Sequence, residues 1–144
     1  MTLKCALPFI FCLLAAPAFA EIHEVRMYNR NANGAMQYEP SYLAIAQGDS
    51  VRFIPEQSSH NAATIDTMLP DGAVPFKSKI NEDFTTELTV SGRYGIKCSP
   101  HFSMGMVMII DVGEVDTATS DTLPDDLPNR AKDRFSAILE TALK

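Results

Sequence analysis

The chain has 144 residues, a length that fits one domain with a real hydrophobic core. Its 18 acidic residues outnumber its 12 basic ones. That balance argues against a nucleic-acid partner, because phosphate binding needs clustered positive charge.

Residues 1–20 read as a signal peptide that is cleaved on export. Lys4 gives a positive start, an apolar run extends from Cys5 to about Ala16, and Ala18, Phe19 and Ala20 form a small–x–small end. The apolar run is shorter than the roughly 20 residues of a spanning helix, and the segment contains Pro8 and Pro17. Phe11 stands ahead of Cys12 where a lipid-attachment pattern needs a small residue. The expected mature chain, residues 21–144, has no membrane anchor. It loses only Lys4 among the charged residues, so 11 basic groups face 18 acidic ones, a net charge of −7.

Residues 22–28 alternate with period two, with His23, Val25 and Met27 on one side, and predict a first strand. Asn33 and Gly34 mark a turn. Tyr42, Leu43, Ile45 and Ala46 predict another strand, and Gln47, Gly48 and Asp49 turn the chain into a third over residues 50–54. Pro55 ends it and delivers the chain to the loop that carries His60. The pattern then weakens, and Thr64, Ile65, Met68 and Leu69 suit a helical turn. Phe84, Thr86, Leu88 and Val90 again repeat with period two, and residues 107–112 are strongly β-prone. Many short strands separated by turn residues indicate an antiparallel sandwich or small barrel over residues 21–115. Residues 116–144 differ: an acidic stretch precedes a helix capped by Asn129, whose Phe135, Ile138, Leu139 and Leu143 form one apolar stripe. So short a helix is marginal alone and is expected to pack on the sandwich as an extension of the same domain.

The chemistry concentrates in residues 97–106. Cys98, His101 and Met106 place a thiol, an imidazole and a thioether in one short stretch, and His60 stands 38 residues before Cys98. With Cys5 and Cys12 removed, Cys98 is the sole cysteine of an exported chain, where an idle exposed thiol is a liability. A buried inert cysteine and an intermolecular link are the alternatives to a metal thiolate. Two imidazole nitrogens, one thiolate and a weak thioether are the donor set of a copper electron-transfer site. Pro100 shapes a tight loop that lets Cys98 and His101 face one ion, and Gly105 lets Met106 enter from the axial side. Met104 and Met108 compete with Met106, but Met108 lies deeper in the strand pattern and Met104 reads as surface. Zinc accepts two histidines and a thiolate, yet its sites favour a fourth strong ligand or a water over a thioether. His23 lies far in sequence from these loops and reads as structural. A copper chaperone or store, a metal-free sandwich and, least of all, an enzyme are the other classes weighed.

His60 and Asn61, the run from Cys98 to Met106, Gly34 to Met36, Phe53 to Pro55 and Phe76 to Glu82 together resemble the small blue copper proteins of the cupredoxin family, and among them the pseudoazurins. The likeness extends over essentially all of residues 21–144. It implies a mainly β, eight-stranded Greek-key sandwich with a C-terminal helical extension, one type 1 copper per chain, and a monomeric periplasmic one-electron shuttle. The partners it implies are a denitrification reductase such as copper nitrite reductase, and a cytochrome or other electron donor. By the same resemblance Asn61 tethers the ligand loops near the thiolate. Met36, Pro100 and Met104 would form the apolar patch through which electrons leave, and Arg30, Lys77, Lys79 and Lys97 would steer an acidic partner. Ser58 stands where a lysine is often found in such proteins, and the chain as a whole is acidic.

Overall fold

The computed structural model describes residues 19–117 and 121–142. Most of the expected signal peptide (residues 1–18), residues 118–120 of the acidic stretch, and Leu143 of the helical stripe lie outside the described residues.

Among the described residues, eight strands form two four-stranded sheets. The strands are β1 (Ile22–Asn31), β2 (Gly34–Glu39), β3 (Tyr42–Ile45), β4 (Ser50–Pro55), β5 (Ala63–Thr64), β6 (Phe84–Glu87), β7 (Gly92–Lys97) and β8 (Val107–Val112). One sheet runs β2-β1-β4-β6 and the other β3-β8-β7-β5. The period-two reading of residues 22–28 holds: Val25 and Met27 are fully buried, and their neighbours Glu24 and Arg26 are exposed. The expected antiparallel pairing holds for β1–β2, β4–β6, β5–β7 and β7–β8, but not for two pairs. β1 pairs parallel with β4, and β3 pairs parallel with β8. After the β1–β2 hairpin the chain crosses to the second sheet as β3 and returns as β4 beside β1, so strands from distant parts of the chain meet in the same direction.

β8 explains why residues 107–112 lack polar alternation: both of its faces are covered. Met108, Ile110 and Val112 point into the core between the sheets, with Val25, Met27, Phe53 and Tyr94. Val107 and Ile109 point the other way, into a second cluster with Ala131, Phe135, Ile138 and Leu139 of the C-terminal helix α1 (Asn129–Ala142). Residues 135, 138 and 139 fall on one helical face, which is the stripe the sequence predicts. The first helical turn begins one residue earlier than expected. The Pro128 carbonyl accepts the Lys132 N–H at 3.0 Å, so Asn129 sits inside the helix rather than capping it. No helix among the described residues is long and apolar enough to cross a membrane.

On the helix side of β8, Asp111 accepts two bonds from Arg93, at 2.7 and 2.8 Å, and one from the Tyr42 hydroxyl at 3.0 Å. Arg93 also reaches Asp121 in the acidic stretch. Glu114 and Asp116 line a hollow with Gly92 and Arg93. That part of the acidic charge therefore gathers at the end of β7 opposite Cys98.

Candidate metal centre

Three connections converge at one end of the sandwich. β7 ends at Lys97 and hands the chain to Cys98; β8 begins at Val107, just after Met106. The β7–β8 ladder continues one step past the strands, since the Cys98 N–H donates to the Met106 carbonyl at 3.0 Å. Between them residues Ser99–Met104 form a tight 3-10 turn, with Pro100 in its first positions. The His101 N–H donates back to the Cys98 carbonyl at 3.1 Å, and the Met106 N–H to the His101 carbonyl at 3.2 Å. Cys98, His101 and Met106 are thus joined by backbone bonds before any ion is considered.

Gly105 makes that return possible for two reasons. Its φ of +84° is a left-handed conformation that side chains with a Cβ disfavour. A Cβ there would also lie 2.8 Å from the backbone oxygen of Arg130. The first turn of α1 is therefore laid directly against the loop.

His60 comes from the long connection after β4. Ser59 before it adopts φ +80°, and its N–H donates to the Asn81 side chain at 2.6 Å. The Asn81 N–H in turn donates to the His60 carbonyl at 2.8 Å. Asn61 then locks three segments together. Its Oδ1 accepts the Ser99 N–H at 2.7 Å, and its Nδ2 donates to the Ser78 carbonyl at 3.1 Å and to Ser99 Oγ at 3.2 Å. Its own carbonyl accepts the buried Tyr38 hydroxyl at 2.7 Å. Ser78 reinforces the join by accepting the Ala62 N–H on its hydroxyl at 3.0 Å.

The outcome is a compact donor triangle. The His60 and His101 Nδ1 atoms are 3.2 Å apart, and Cys98 Sγ lies 3.7 Å from the first and 3.5 Å from the second. A point equidistant from all three is about 2.0 Å from each, comparable to the ~2.0–2.3 Å metal–nitrogen and metal–thiolate bonds of protein sites. His60, Cys98 and Met106 have no solvent exposure, whereas His101 is half-buried. These three donor atoms form the metal-competent group found among the described residues.

The electrostatics suit a soft cation. Burial first, and the neighbouring His101 second, push the His60 imidazole down to about 4, so it is neutral and a lone pair is available at neutral pH. Burial pushes the Cys98 thiol up, and the backbone N–H groups of Asn61 and His101 act against that rise. A thiolate is costly there without a cation, and a cation in the triangle removes that cost while using both imidazole lone pairs.

The other residues weighed for the site can now be placed. Met108 is fully buried in the core, and Met104 is 42 % exposed. Met36 is half-buried with φ +53°, and it lines a hollow of about 450 Å³ with Met104, Ala35, Arg130 and Arg134. Pro100 is exposed on the turn beside His101. Lys77 and Lys97 line a second hollow of about 420 Å³ with Phe76, Ser99 and Phe102, and Lys97 Nζ sits 5.0 Å over the Phe102 ring. Lys79 and Arg30 are exposed. His23 is remote from the centre, bonded to Asp49 at 2.8 Å.

Sequence reasoning missed Ser78, Asn81, Tyr38 and Arg134. Asn81 alone left a trace, as a residue type that tolerates a left-handed turn; its φ is +64°. Arg134 donates to the backbone carbonyls of Ala35 and Met36 across nearly a hundred residues.

Comparison with known proteins agrees with this geometry. The family model described as copper binding proteins, plastocyanin/azurin family, matches residues 25–113. Pseudoazurin from Paracoccus pantotrophus is 44% identical over 126 residues, covering 88% of this chain and 87% of that protein. A putative pseudoazurin from Rhizobium leguminosarum bv. viciae is 42% identical over 125 residues, covering 87% and 82%. The crystal structure of pseudoazurin from Methylobacterium extorquens AM1 superposes with a TM-score of 0.77 at 30% identity, covering 85% of this chain and 99% of that one. Copper is the metal of this family, and the two imidazoles and one thiolate gathered here fit it. The chain belongs to the plastocyanin/azurin family of copper-binding proteins and, within it, to the pseudoazurins, which are electron carriers and not enzymes.

Proposed function

We propose that His60 Nδ1, Cys98 Sγ, His101 Nδ1 and the Met106 thioether hold one type 1 copper ion per chain, and that the protein is a periplasmic one-electron carrier supplying a denitrification reductase. The observation that carries this reading is the buried triangle of two Nδ1 atoms and one sulfur, open to the surface only through half-buried His101. Bound copper supplies the Cu(II)/Cu(I) couple. The protein's part is to hold the donors still and keep water out. The Asn61 clamp and the backbone bonds among Cys98, His101 and Met106 limit how far the donors shift between oxidation states, which keeps reorganisation small. With all donors provided by side chains, no position is set aside for a substrate.

Electrons pass at the His101 edge, framed by Met36, Pro100 and Met104. An apolar patch that desolvates readily suits brief docking. Lys77, Lys79, Lys97 and Arg30 are the steering cations, and none of them forms an ion pair among the described residues. The acceptor is a copper nitrite reductase with an acidic docking face, and the donor is a cytochrome or similar redox protein. The carrier works as a monomer. Residues 1–20 are removed on export, residues 21–115 form the sandwich, and residues 116–144 cover it as part of the same domain. The burial of Phe135, Ile138 and Leu139 against β8 supports that arrangement.

Stopped-flow mixing of the reduced, copper-loaded protein with a copper nitrite reductase tests the partner. Rapid oxidation that slows with rising salt and with Lys77→Gln is the expected result. Oxidation indifferent to both contradicts the steering role, and no oxidation contradicts the partner.

A further inference from the structure

At the end of the sandwich remote from the metal centre, one carboxylate is built into an unusual position. β1 and β4 start side by side, Ile22 opposite Ser50, and β4 runs from there toward the His60 loop. Asp49 stands just before that start and is only 6 % exposed. Its Oδ2 accepts the Ala46 N–H at 3.1 Å and lies 2.8 Å from His23 Nε2. Its Oδ1 accepts the backbone N–H of Glu21 at 2.9 Å. Glu21 is gripped on both sides, because its carbonyl accepts the Ser50 N–H at 2.8 Å. Immediately before it the grip ends: Ala20 is exposed and Phe19 is 87 % exposed. The peptide bond between Ala20 and Glu21 therefore sits at the boundary between held and unheld chain.

We propose that Asp49 is a built receptor for the new amino terminus created by removal of residues 1–20. This rests on the export reading above. In the step, a leader peptidase directs water onto the Ala20 carbonyl carbon and the C–N bond to Glu21 breaks. Ala20 leaves as a carboxylate, and the Glu21 nitrogen, gaining protons, becomes an α-ammonium. That nitrogen already sits on Asp49 Oδ1 as a neutral amide offering one proton. Cleavage converts the contact into a charge-assisted pair without moving it. Processing then locks β1 to the β3–β4 turn, and only the processed chain has the lock.

The charged groups around the new terminus are Asp49 on the turn, His23 on β1, the exposed Glu21 side chain, and exposed Glu87 on β6, which lies opposite Ser50 in register. Pairing with Asp49 raises the α-amino pKa above its ordinary value of about 7.7–8.0. The stabilisation is complete below that ordinary value and is lost as pH rises through the raised one.

Intact mass of the copper-loaded protein recovered after export identifies the first residue, and a start at Glu21 is expected. A different first residue overturns the assignment of the lock to processing. Separately, a chain beginning at Glu21, prepared by clean removal of a tag, is compared with one that retains Ala20. The Glu21 chain should melt about 2–6 °C higher at pH 7, with the advantage vanishing at high pH. Its α-amino group, followed by NMR, should titrate about a unit or more above the ordinary range. Asp49→Asn in the Glu21 chain should return that group to the ordinary range. Ordinary titration in the Glu21 chain, or equal melting of the two chains, overturns the pairing whatever the export result.

Discussion

Asn61 and Ser99 are bonded to each other twice. The Ser99 N–H donates to Asn61 Oδ1 at 2.7 Å, and Asn61 Nδ2 donates to Ser99 Oγ at 3.2 Å. Because His60 precedes Asn61 and Cys98 precedes Ser99, this single contact sets the distance between the two loops that bring the donors together. The two bonds differ in what a substitution removes. Asn61→Ala deletes both, along with the bond to the Ser78 carbonyl, and leaves buried groups unpaired. It should cost about 2–4 kcal/mol and change the visible spectrum of the copper form. Ser99→Ala keeps the stronger bond and should cost about 1 kcal/mol with little spectral change. Denaturant melts and absorption spectra of the pair check the ordering; equal effects contradict it.

Gly105 is expected to resist substitution for a reason beyond its backbone angle. Gly48 also has a positive φ, +93°, but nothing lies within 4 Å of a Cβ placed there, so Gly48→Ala should cost only the left-handed strain of about 1–2 kcal/mol. Gly105→Ala adds contact with the Arg130 carbonyl at 2.8 Å, and α1 or the ligand loop must shift. Its cost should exceed that of Gly48→Ala by about 1–3 kcal/mol, and it alone should perturb the copper spectrum. Similar melts for the two variants would show that α1 gives way without strain.

The C-terminal helix also reaches the proposed electron-transfer surface. Arg134 holds the carbonyls of Ala35 and Met36, and Met36 is in a left-handed conformation that needs holding. Arg134→Gln should cost about 1 kcal/mol in stability. It should leave the copper absorption unchanged and slow electron self-exchange several-fold, because the patch loses its fixed shape. NMR line broadening in mixtures of the oxidised and reduced protein reads that rate directly; an unchanged rate separates Arg134 from docking.

Asp49 gives a pH signature at the other end of the molecule. The Glu21 N–H first, and His23 next, hold its carboxyl below the usual range. A lowered folded-state value means that Asp49 stabilises the fold above its unfolded value of about 3.9, and that this contribution fades as pH falls through the lowered one. The melting difference between the protein and Asp49→Asn should therefore be steady from about pH 5 to 7 and shrink below about pH 4. A difference that does not shrink as pH falls below about 4 contradicts this origin.

What could be read from the sequence followed from range. Three of the four proposed donors lie close together in residues 98–106, and β1 and β4 alternate cleanly because one face of each meets the core. β7 carries no strand signal in the sequence. Gly92 and Gly95 weaken its β character, and residues 93–96 are all buried, so no alternation remains. β5 is two residues long and owes its existence to pairing with β7. The parallel pairings, the Ser78 and Asn81 tethers, and the contacts of α1 with Gly105 and Met36 all join residues far apart in the chain, where local propensity carries no information. The candidate donors are legible by their chemistry, and Asn61 by the resemblance that carries them; Ser78, Asn81, Tyr38 and Arg134 are not, because tethers of that kind are identified by position.

The proposed type 1 copper site rests on His60, Cys98, His101 and Met106. The most direct test is visible absorption of the purified protein carrying one equivalent of Cu(II), beside Cys98→Ser prepared in the same way. An intense thiolate-to-copper band that ascorbate bleaches, and that is absent in Cys98→Ser, is the expected result. A fully copper-loaded protein without that band, or a band that survives in Cys98→Ser, contradicts the account.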